Sequence, residues 1–503
     1  MHFRKAIPDL LFVLFLVVAS FFYGYFKVID QPPKGIHVWR QADGASMAYN
    51  YYVDGNPLLE PQMSNQQGNL GKAAGEFPLM YYLVSVGYHI FGYDYSVYRL
   101  IWMLTTYIGL FCLYKLSSKI LNNNYYGAYV AAFLFTSPVY VVYGISFIPD
   151  SVALSISLIG LYFIYQYSQQ RSALNLGLSI LFVALAALLK ITNIIPTLAV
   201  LGTILVLDLF SYIRKEKHYL LHVKIIVGFL VLFVIIFSWY KYADWYNQVN
   251  ETKYFFLRTA PIWSASPELI LEVKQAIMVW KNTYLFQSGR HFIIVLMALV
   301  LIPAFYKRLS LFYIGFYVIA LAGFLSFFLL FFSQFMYHDY YAIALMIIIP
   351  LTILMFIKKY SWLIEKSKVA TILFSGTFLV FLLLSVIHTS RNVNSRFNPD
   401  TKWLDNLHEL KGHLEEYGIA ENDFIVAPDD ASPNVVLDAL KRKGWSANNF
   451  AFQKEVLEAK ILQGAKYMVI TDTNFYQNPL IDPYRNNLVV DYKGIRIYGL
   501  EPK

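Results

Sequence analysis

Apolar runs of about 20 residues recur along this chain, separated by short polar or basic segments. A helix of that length spans the hydrocarbon core of a bilayer. Because 57% of the residues are hydrophobic and only 15% are charged, a water-soluble fold could not bury the apolar surface. The runs predict an all-α polytopic membrane protein with about eleven spans. The predicted spans are 10–29, 100–118, 125–145, 151–167, 173–189, 194–212, 222–240, 291–306, 309–333, 340–357 and 368–388.

The basic residues predict how these spans are oriented. Lys and Arg collect in alternate loops, and cytoplasmic loops normally carry this excess. The N-terminus is therefore predicted inside and the C-terminus outside, and the net charge of +9 needs no nucleic-acid partner. The basic loop residues are Arg4, Lys5, Lys115, Lys119, Arg171, Arg214, Lys215, Lys217, Lys307, Arg308, Lys358, Lys359, Lys366 and Lys368.

Two apolar segments need separate interpretation. Residues 10–26 have the basic flank of a signal peptide, but no small-residue cleavage site follows, so an uncleaved first helix is predicted. The run 77–91 is short for a span, and counting it as one would invert every later loop. It is interpreted as an interfacial or re-entrant helix on the outer side.

The chain divides into two predicted domains. Residues 1–390 form a transmembrane domain with large outer loops at 31–99 and 243–290, and residues 391–503 turn polar and form a small extracytoplasmic α/β domain. In the second domain a helix is predicted at 402–417, with leucines along one face, and strands at 424–427 and 467–470. A hairpin is predicted from 489–492 and 495–498.

Polar residues that could carry chemistry map to the outer face under this topology. Each also has a plainer interpretation, such as helix capping by Asp43 at the start of a helix over 45–53, or membership of an interfacial aromatic belt. Because the span interiors are nearly free of charge, the shared location predicts chemistry at one interface and disfavours a mid-membrane transport site. These residues are Arg40, Gln41, Asp43, Glu76, Tyr81, Tyr82, Arg99, Asp150, Lys190, His338, Asp339 and Tyr340.

The order of several short motifs resembles the GT-C membrane glycosyltransferases, over about the first 390 residues. The motifs are the acidic first outer loop with Trp-Arg-Gln-x-Asp, the Glu-x-Pro-Leu segment, the Arg that opens span two, the Ser-Pro and Pro-Asp pairs, and His-x-Tyr-Tyr. Within that group the chain looks most like the branch of protein O-mannosyltransferases and aminoarabinose transferases. The resemblance implies a bacterial inner-membrane enzyme with an extracytoplasmic active site.

The resemblance also implies a chemistry. Asp43 is expected to be the catalytic carboxylate and general base of an inverting transfer, with Glu76 and Asp150 beside the cavity. Arg99, Lys190 and His338 are the expected partners of the donor phosphate. Relatives often carry a second acid directly after the first, whereas Gly44 follows Asp43 here. The remaining expected cavity residues are Arg40, Gln41, Tyr81, Tyr82, Asp339 and Tyr340.

The expected donor is a sugar on a polyprenyl phosphate, and the expected acceptor is a lipid, a glycan or a protein. No cofactor and no metal-ligand set is apparent in the sequence, although a divalent cation is left open. The alternatives are a ligase or polymerase of lipid-linked oligosaccharides, a transporter or flippase of the same lipids, and a non-catalytic scaffold.

Overall fold

The computed structural model describes residues 2–215, 223–255, 259–302, 309–397, 401–447 and 453–500. The helices are α1 (His2–Phe22), α2 (Tyr25–Val28), α3 (Val38–Asp54), α4 (Leu79–Phe91), α5 (Tyr95–Leu121), α6 (Asn124–Leu134), α7 (Pro138–Tyr143), α8 (Asp150–Gln170), α9 (Ala173–Leu189), α10 (Ile195–Ile213), α11 (Val223–Val249), α12 (Pro267–Tyr284), α13 (Gln287–Leu301), α14 (Leu311–Leu330), α15 (Ile348–Ile364), α16 (Lys368–Phe397), α17 (Lys402–Leu410), α18 (Val435–Leu440) and α19 (Lys454–Leu462). Short 3₁₀ helices occupy Ile191–Ile194, Ile262–Ser264, Phe332–Met336, Asp339–Ile347, Lys411–Tyr417, Thr473–Gln477 and Pro479–Asn487. The strands are β1 (Phe424–Ala427), β2 (Gly444–Ser446), β3 (Ala465–Ile470), β4 (Leu488–Tyr492) and β5 (Ile495–Gly499).

Seven helices of the described chain are long and apolar enough to cross a membrane. They are α5, α8, α11, α14, α16, the continuous segment Ile191–Ile213 and the continuous segment Asp339–Ile364. Helices α12 and α13 meet at 92°, and this bent pair gives an eighth span if it is counted as one. The chain is therefore a polytopic helical protein with seven or eight such spans, while the orientation and the count of eleven stay predictions.

Other apolar segments are shorter than the sequence predicted. Two of the predicted spans correspond to the apolar helices Ile7–Phe22 and Ala173–Leu189, which have 10–17 residues. Helix α4 also falls in this class, in agreement with the prediction that its segment does not cross the membrane. The predicted basic loop residues Lys217, Lys307 and Arg308 lie outside the described residues.

The predicted span 125–145 is wrong as a single helix. Helix α6 ends at Leu134, and α7 begins at Pro138 after a break. A proline inside a continuous helix removes a hydrogen bond and clashes with the preceding turn. Ser137 accordingly has an extended backbone, as residues before proline prefer. The break directs α7 against the 3₁₀ segment Asp339–Ile347, where predicted site residues lie.

The C-terminal part contains the small α/β fold that the sequence predicts. Its five strands have the order β2-β1-β3-β5-β4, with β1 parallel to β2 and β3, and β5 antiparallel to β3 and β4. The predicted strands and hairpin are confirmed, and the predicted helix at 402–417 is α17 followed by a 3₁₀ turn. The leucines on its inner face are all buried: Leu404, Leu407, Leu410 and Leu414. Strand β2 was not predicted.

This sheet docks against the first outer loop. Asn65 forms a parallel bridge with Gly444 in the edge strand β2. The amide of Gln66 donates to the Gly444 carbonyl at 2.6 Å, and the Gly444 amide donates to the Ser64 carbonyl at 3.1 Å. The loop therefore extends the sheet edge by main-chain pairing, which brings the C-terminal fold beside α3. Helix α16 continues to Phe397, and the domain boundary at 390 stays a prediction.

Candidate active site

Helix α3 carries the first group of predicted site residues. It begins directly after His37, so Asp43 lies within the helix, and the prediction that Asp43 caps a helix over 45–53 is wrong. Gly44, the next residue of the helix, packs closely against neighbouring backbone. A Cβ at this position would lie 2.5 Å from the carbonyl oxygen of Phe147. The same contact explains the absence of a second acid after Asp43, since a side chain at position 44 would clash with that backbone.

A buried ion pair lies beside Asp43. Nη2 of Arg40 donates to Oε1 of Glu76, and the Tyr81 hydroxyl donates to the same oxygen. Nη1 of Arg40 lies 3.9 Å from Oδ2 of Asp43, which is too long for a hydrogen bond. Glu76 is thus held by two donors, whereas Oδ2 of Asp43 faces a cation without a short contact to it.

A second ion pair joins α8 and α9. Asp150 is the first residue of α8, Lys190 directly follows α9, and Nζ of Lys190 lies 3.5 Å from Oδ1 of Asp150. The ammonium group also lies 5.6 Å from the ring centre of Tyr340 and 4.8 Å from that of Tyr341. These distances suit cation–π contacts. The structure therefore brings together the predicted residues Asp150, Lys190 and Tyr340.

The two ion pairs belong to one site. The amide of Phe77 donates to the Leu188 carbonyl at 3.0 Å, which places the residue after Glu76 against the end of α9. Burial raises the pKa of Glu76, but the positive charges of Arg40 and Lys190 outweigh this effect and hold the pKa below its usual value. Glu76 is therefore a carboxylate at neutral pH and is poorly suited to act as an acid.

For Asp43, the effects that raise the pKa are stronger than those that lower it. The pKa of Asp43 is raised to about 6, because burial, with a smaller contribution from the charge of Glu76, outweighs the lowering by Arg40 and by the hydrogen bond from Asn434. A carboxyl group with this pKa is mostly ionised at pH 7 and is a stronger base than an exposed aspartate. Of the two outer-loop acids, Asp43 has the electrostatics that a general base requires.

Three predicted residues carry buried polar atoms that have no hydrogen-bond partner: Nη1 of Arg40, Oδ2 of Asp150 and Nδ1 of His338. Buried polar atoms in folded proteins are nearly always paired. Two of these atoms belong to the ion pairs described above. A ligand with both hydroxyl groups and anionic oxygens, as in a sugar phosphate, would supply the donors and acceptors that these atoms require.

His338 differs from the role that the sequence suggested. Burial lowers its pKa to about 4, and the nearby His37, Lys190 and Arg40 lower it as well. The imidazole is therefore neutral at pH 7, so His338 could meet a phosphate as a hydrogen-bond donor but not as a cation.

Arg99 has a different environment from the ion pairs. Its guanidinium donates to the carbonyls of Gln31 at 3.0 Å, Pro32 at 3.2 Å and Ile145 at 2.8 Å. It also lies over the ring of Phe147. These contacts tie the start of the first outer loop to the segment before α8. A phosphate-binding role for Arg99 stays a prediction, and its contacts favour a structural one.

Two more predicted residues, Gln41 and Tyr82, make contacts apart from the two ion pairs. Gln41 donates through Nε2 to the carbonyls of Lys34 and Ile36, both at 2.9 Å, and so fixes the turn that leads into α3. Tyr82 packs its ring edge against Tyr51, with 5.4 Å between ring centres. Neither contact involves the two ion pairs.

Asp339 is the centre of a separate buried network. It accepts hydrogen bonds from His37 at 3.0 Å and Tyr143 at 2.8 Å through Oδ1, and from Arg396 at 2.7 Å through Oδ2. The ring of Tyr340 lies 5.1 Å from that of His37, so this network borders the ion-paired site. Asp339 therefore links α7, the end of α16 and the first outer loop.

Replacing Asp339 with asparagine is expected to lower the free energy of unfolding by about 1–3 kcal/mol, because buried Arg396 loses its charged partner. Thermal denaturation in detergent measures the change. Asp405→Asn is the matched control, since the Asp405 side chain is 55% exposed and its ion pair with Lys34 is long, at 3.8 Å. Exposed ion pairs of this kind contribute little to stability. Equal melting temperatures for the two variants would contradict the anchoring role.

Asn434 is a site residue that the sequence analysis missed. Its Nδ2 donates to Oδ1 of Asp43 at 2.9 Å, from the segment just before α18 in the C-terminal fold. Its side chain is fully buried. The residue is uncharged and lies far from Asp43 in sequence, so the only local signal was its position before a short helix, which is typical of a helix cap.

The described residues do not form a metal site: among them, no three His, Cys, Asp or Glu side chains group closely enough to hold a metal ion. The cations of the two ion pairs are Arg40 and Lys190.

An apolar cavity of about 440 Å³ lies among the spans, and its lining extends to Arg171, which the sequence analysis places in a cytoplasmic loop. Two of its lining residues, Val183 on α9 and Thr197 on α10, belong to the helices on either side of Lys190 in the sequence. Isoprenoid chains fit such surfaces because burial of apolar groups drives their binding. The lining includes Leu161, Val183, Thr197, Leu232, Phe316 and Ile347.

Comparison with known proteins finds chains of similar sequence and fold. Residues 74–239 match the family model of dolichyl-phosphate-mannose-protein mannosyltransferases. The fold is similar to apo ArnT from Cupriavidus metallidurans, with a TM-score of 0.60, 13% identity and coverage of 97% of each chain. ArnT bound to undecaprenyl phosphate gives a TM-score of 0.58, with the same identity and coverage.

A third solved structure is also similar. The Archaeoglobus fulgidus oligosaccharyltransferase gives a TM-score of 0.54 at 13% identity, covering 91% of this chain and 67% of that chain. No curated protein sequence matches the chain. The resemblance inferred from the sequence is confirmed: residues 74–239 match a GT-C glycosyltransferase family model, and nearly the whole chain has the GT-C fold.

Proposed function

We propose that this chain is an inverting glycosyltransferase that moves a sugar from a polyprenyl-phosphate donor to an acceptor hydroxyl on the outer face of the membrane. One observation carries the proposal: Asp43 shares a buried polar site with two cations, Arg40 and Lys190, that are suited to a phosphate. The family-model match supports the reaction class. The undecaprenyl phosphate bound to ArnT, which has the same fold, supports the donor class.

The reaction follows from these groups. The acceptor oxygen attacks the anomeric carbon opposite the phosphate, and a new glycosidic C–O bond forms as the bond to the phosphate oxygen breaks. The acceptor proton passes to Oδ2 of Asp43, since Oδ1 is occupied by the hydrogen bond from Asn434. The electron pair leaves with the phosphate. Attack from the opposite face inverts the anomeric centre.

The leaving phosphate needs positive charge and does not need a proton. Lys190 and Arg40 supply that charge, and it acts strongly because the surroundings are buried. Each cation is paired with an acid, Lys190 with Asp150 and Arg40 with Glu76, and ionised Asp43 adds one further negative charge beside Arg40. The polyprenyl chain would occupy the apolar cavity among the spans.

The rate should depend on pH through Asp43. With a pKa of about 6, this carboxyl group is protonated in acid and loses its function as a base. We expect kcat/KM to be half-maximal near pH 6, to fall about tenfold for each pH unit below it, and to be constant from pH 7 upward. Initial rates from pH 4.5 to 8 test this. An acid limb near pH 4, the ordinary value for aspartate, would contradict it.

Transfer of label tests the proposed function itself. The purified protein is reconstituted with polyprenyl phosphates that carry a radiolabelled hexose or pentose, together with separate lipid, glycan and protein fractions of a bacterial envelope. We expect label to enter one fraction with release of polyprenyl phosphate, and no transfer by Asp43→Asn. Consumption of lipid-linked oligosaccharides only, or movement of label across vesicles without a new bond, would contradict the proposal in favour of a ligase or a transporter.

A further inference from the structure

The amide group of Asn434 bridges the C-terminal fold, the first outer loop and the predicted base. Its Oδ1 accepts the main-chain amide of Asn65 at 3.0 Å, and its Nδ2 donates to Asp43 at 2.9 Å. A main-chain N–H can only donate, so the amide oxygen must face Asn65 and the NH₂ group must face Asp43. The orientation of the donor toward Asp43 is therefore set by the docked loop and does not depend on Asp43.

The surroundings hold this amide in place. Nδ2 of Asn65 donates to the carbonyl of Pro433 and to Oγ of Ser446, both at 2.8 Å. Oδ2 of Asp430 accepts the amide of Val436 at 3.0 Å and so fixes the start of α18. The two bonds from Asn65 join the first outer loop to the C-terminal fold, and the Asp430 bond lies within that fold. The contact between Asn434 and Asp43 therefore results from the docking of the C-terminal fold on the first outer loop.

We propose that Asn434 is the positioning residue for Asp43, and that the docked C-terminal fold completes the active site by holding one carboxylate oxygen so that the other faces the acceptor. This inference rests on the proposed function. The second oxygen, Oδ2, is the one that lies toward Arg40. Without Asn434, the carboxylate could rotate toward the guanidinium and pair with it, and the acceptor would lose its base.

The hydrogen bond also favours the ionised carboxylate. Loss of this bond should raise the pKa of Asp43, because the carboxylate loses a donor that stabilises its charge. The other charged and titratable groups that face Asp43 stay in place. These groups are Arg40 on α3, Glu76 in the first outer loop, Tyr254 after α11, and Asp438 on α18. Arg40 favours ionisation of Asp43, whereas Glu76 and Asp438 oppose it. A mere docking role for Asn434 would not move the pH dependence of the reaction.

The test compares two substitutions at Asn434 in the full-length protein. Asn434→Ala removes the donor, and Asn434→Asp keeps an oxygen for the amide of Asn65 but places a second carboxyl group against Asp43. For Asn434→Ala we expect the acid limb of kcat/KM to move up by about one pH unit. We also expect kcat of this variant to fall about tenfold with the donor KM unchanged. For Asn434→Asp the acid limb of kcat/KM should move up further.

Lys443→Ala is the matched control. It breaks the 2.6 Å ion pair between Lys443 and Asp54, which joins the same two parts of the chain without touching Asp43. Its acid limb should stay at the wild-type pH. If the Asn434 variants keep the wild-type limb, or if Lys443→Ala shifts it equally, Asn434 is only a docking residue and the proposal is overturned.

One further variant separates this inference from the proposed function. Asp43→Asn is measured in the same assay. If Asp43→Asn is inactive while the Asn434 variants behave as wild type, only the positioning role fails. If Asp43→Asn is fully active, the assignment of the base fails as well. Should Asn434→Ala not fold, Asn434→Leu, which has a similar volume and no donor, replaces it in the same comparison.

Discussion

Asp43→Asn is expected to lower kcat by about 10²–10⁴-fold, the range that general-base catalysis typically contributes. The amide cannot accept the acceptor's proton, while the rest of the site is unchanged in size and shape. Binding of the donor should be nearly unaffected, because the proposed partners of its phosphate, Lys190 and Arg40, are unchanged. The experiment measures single-turnover transfer and, separately, the Kd for undecaprenyl phosphate.

The structure gives a reason why this variant should fold. Asparagine at position 43 keeps an oxygen that can accept the hydrogen bond from Asn434, and its NH₂ group would face Arg40 across the present 3.9 Å gap. Asp54→Asn is the matched control on the same helix, since Asp54 pairs with Lys443 at a partly exposed surface. A rate for Asp43→Asn within threefold of the Asp54→Asn rate would remove Asp43 from the mechanism.

The parts of this molecule that sequence could predict are those with local signals. The final hairpin turns at Lys493 and Gly494, which have φ values of 47° and 84°, and such a two-residue turn between alternating strands is recognisable from sequence. The clustering of Glu76, Asp150 and Lys190 followed from a different signal. Polar residues at span ends of the same predicted side are expected to lie close together, and Lys190 lies 3.5 Å from Asp150 while its charge lowers the pKa of Glu76.

The contacts that the sequence could not show are those in which the partner is distant or has no charge. Nothing near Asn434 in the sequence shows that it meets Asp43, 391 residues away. The carbonyls that occupy Arg99 belong to main chain, whose position depends on the whole fold. The break before Pro138 is a different case, because the proline was visible, but the surrounding apolar run favoured one long span.

Lys190→Ala is expected to weaken binding of undecaprenyl phosphate by about 10- to 100-fold, the effect of losing one charged hydrogen bond. The variant would leave Asp150 and Glu76 beside the phosphate with only Arg40 to balance them. Repulsion between these like charges should weaken binding further. Calorimetry in detergent gives the Kd. Lys241→Ala is the matched control, because it also removes one lysine charge. Lys241 lies on α11 and its ammonium group contacts the ring of Phe237.

A loss of binding in Lys190→Ala could also come from Asp150, which would be left buried without its partner. The double variant Lys190→Ala with Asp150→Asn separates the two causes, because it removes the unpaired charge together with the cation. If Lys190 binds the phosphate, the double variant should regain the wild-type melting temperature and still bind at least tenfold more weakly. Full recovery of affinity would show that Lys190 only neutralises Asp150, and the donor phosphate would then depend on Arg40.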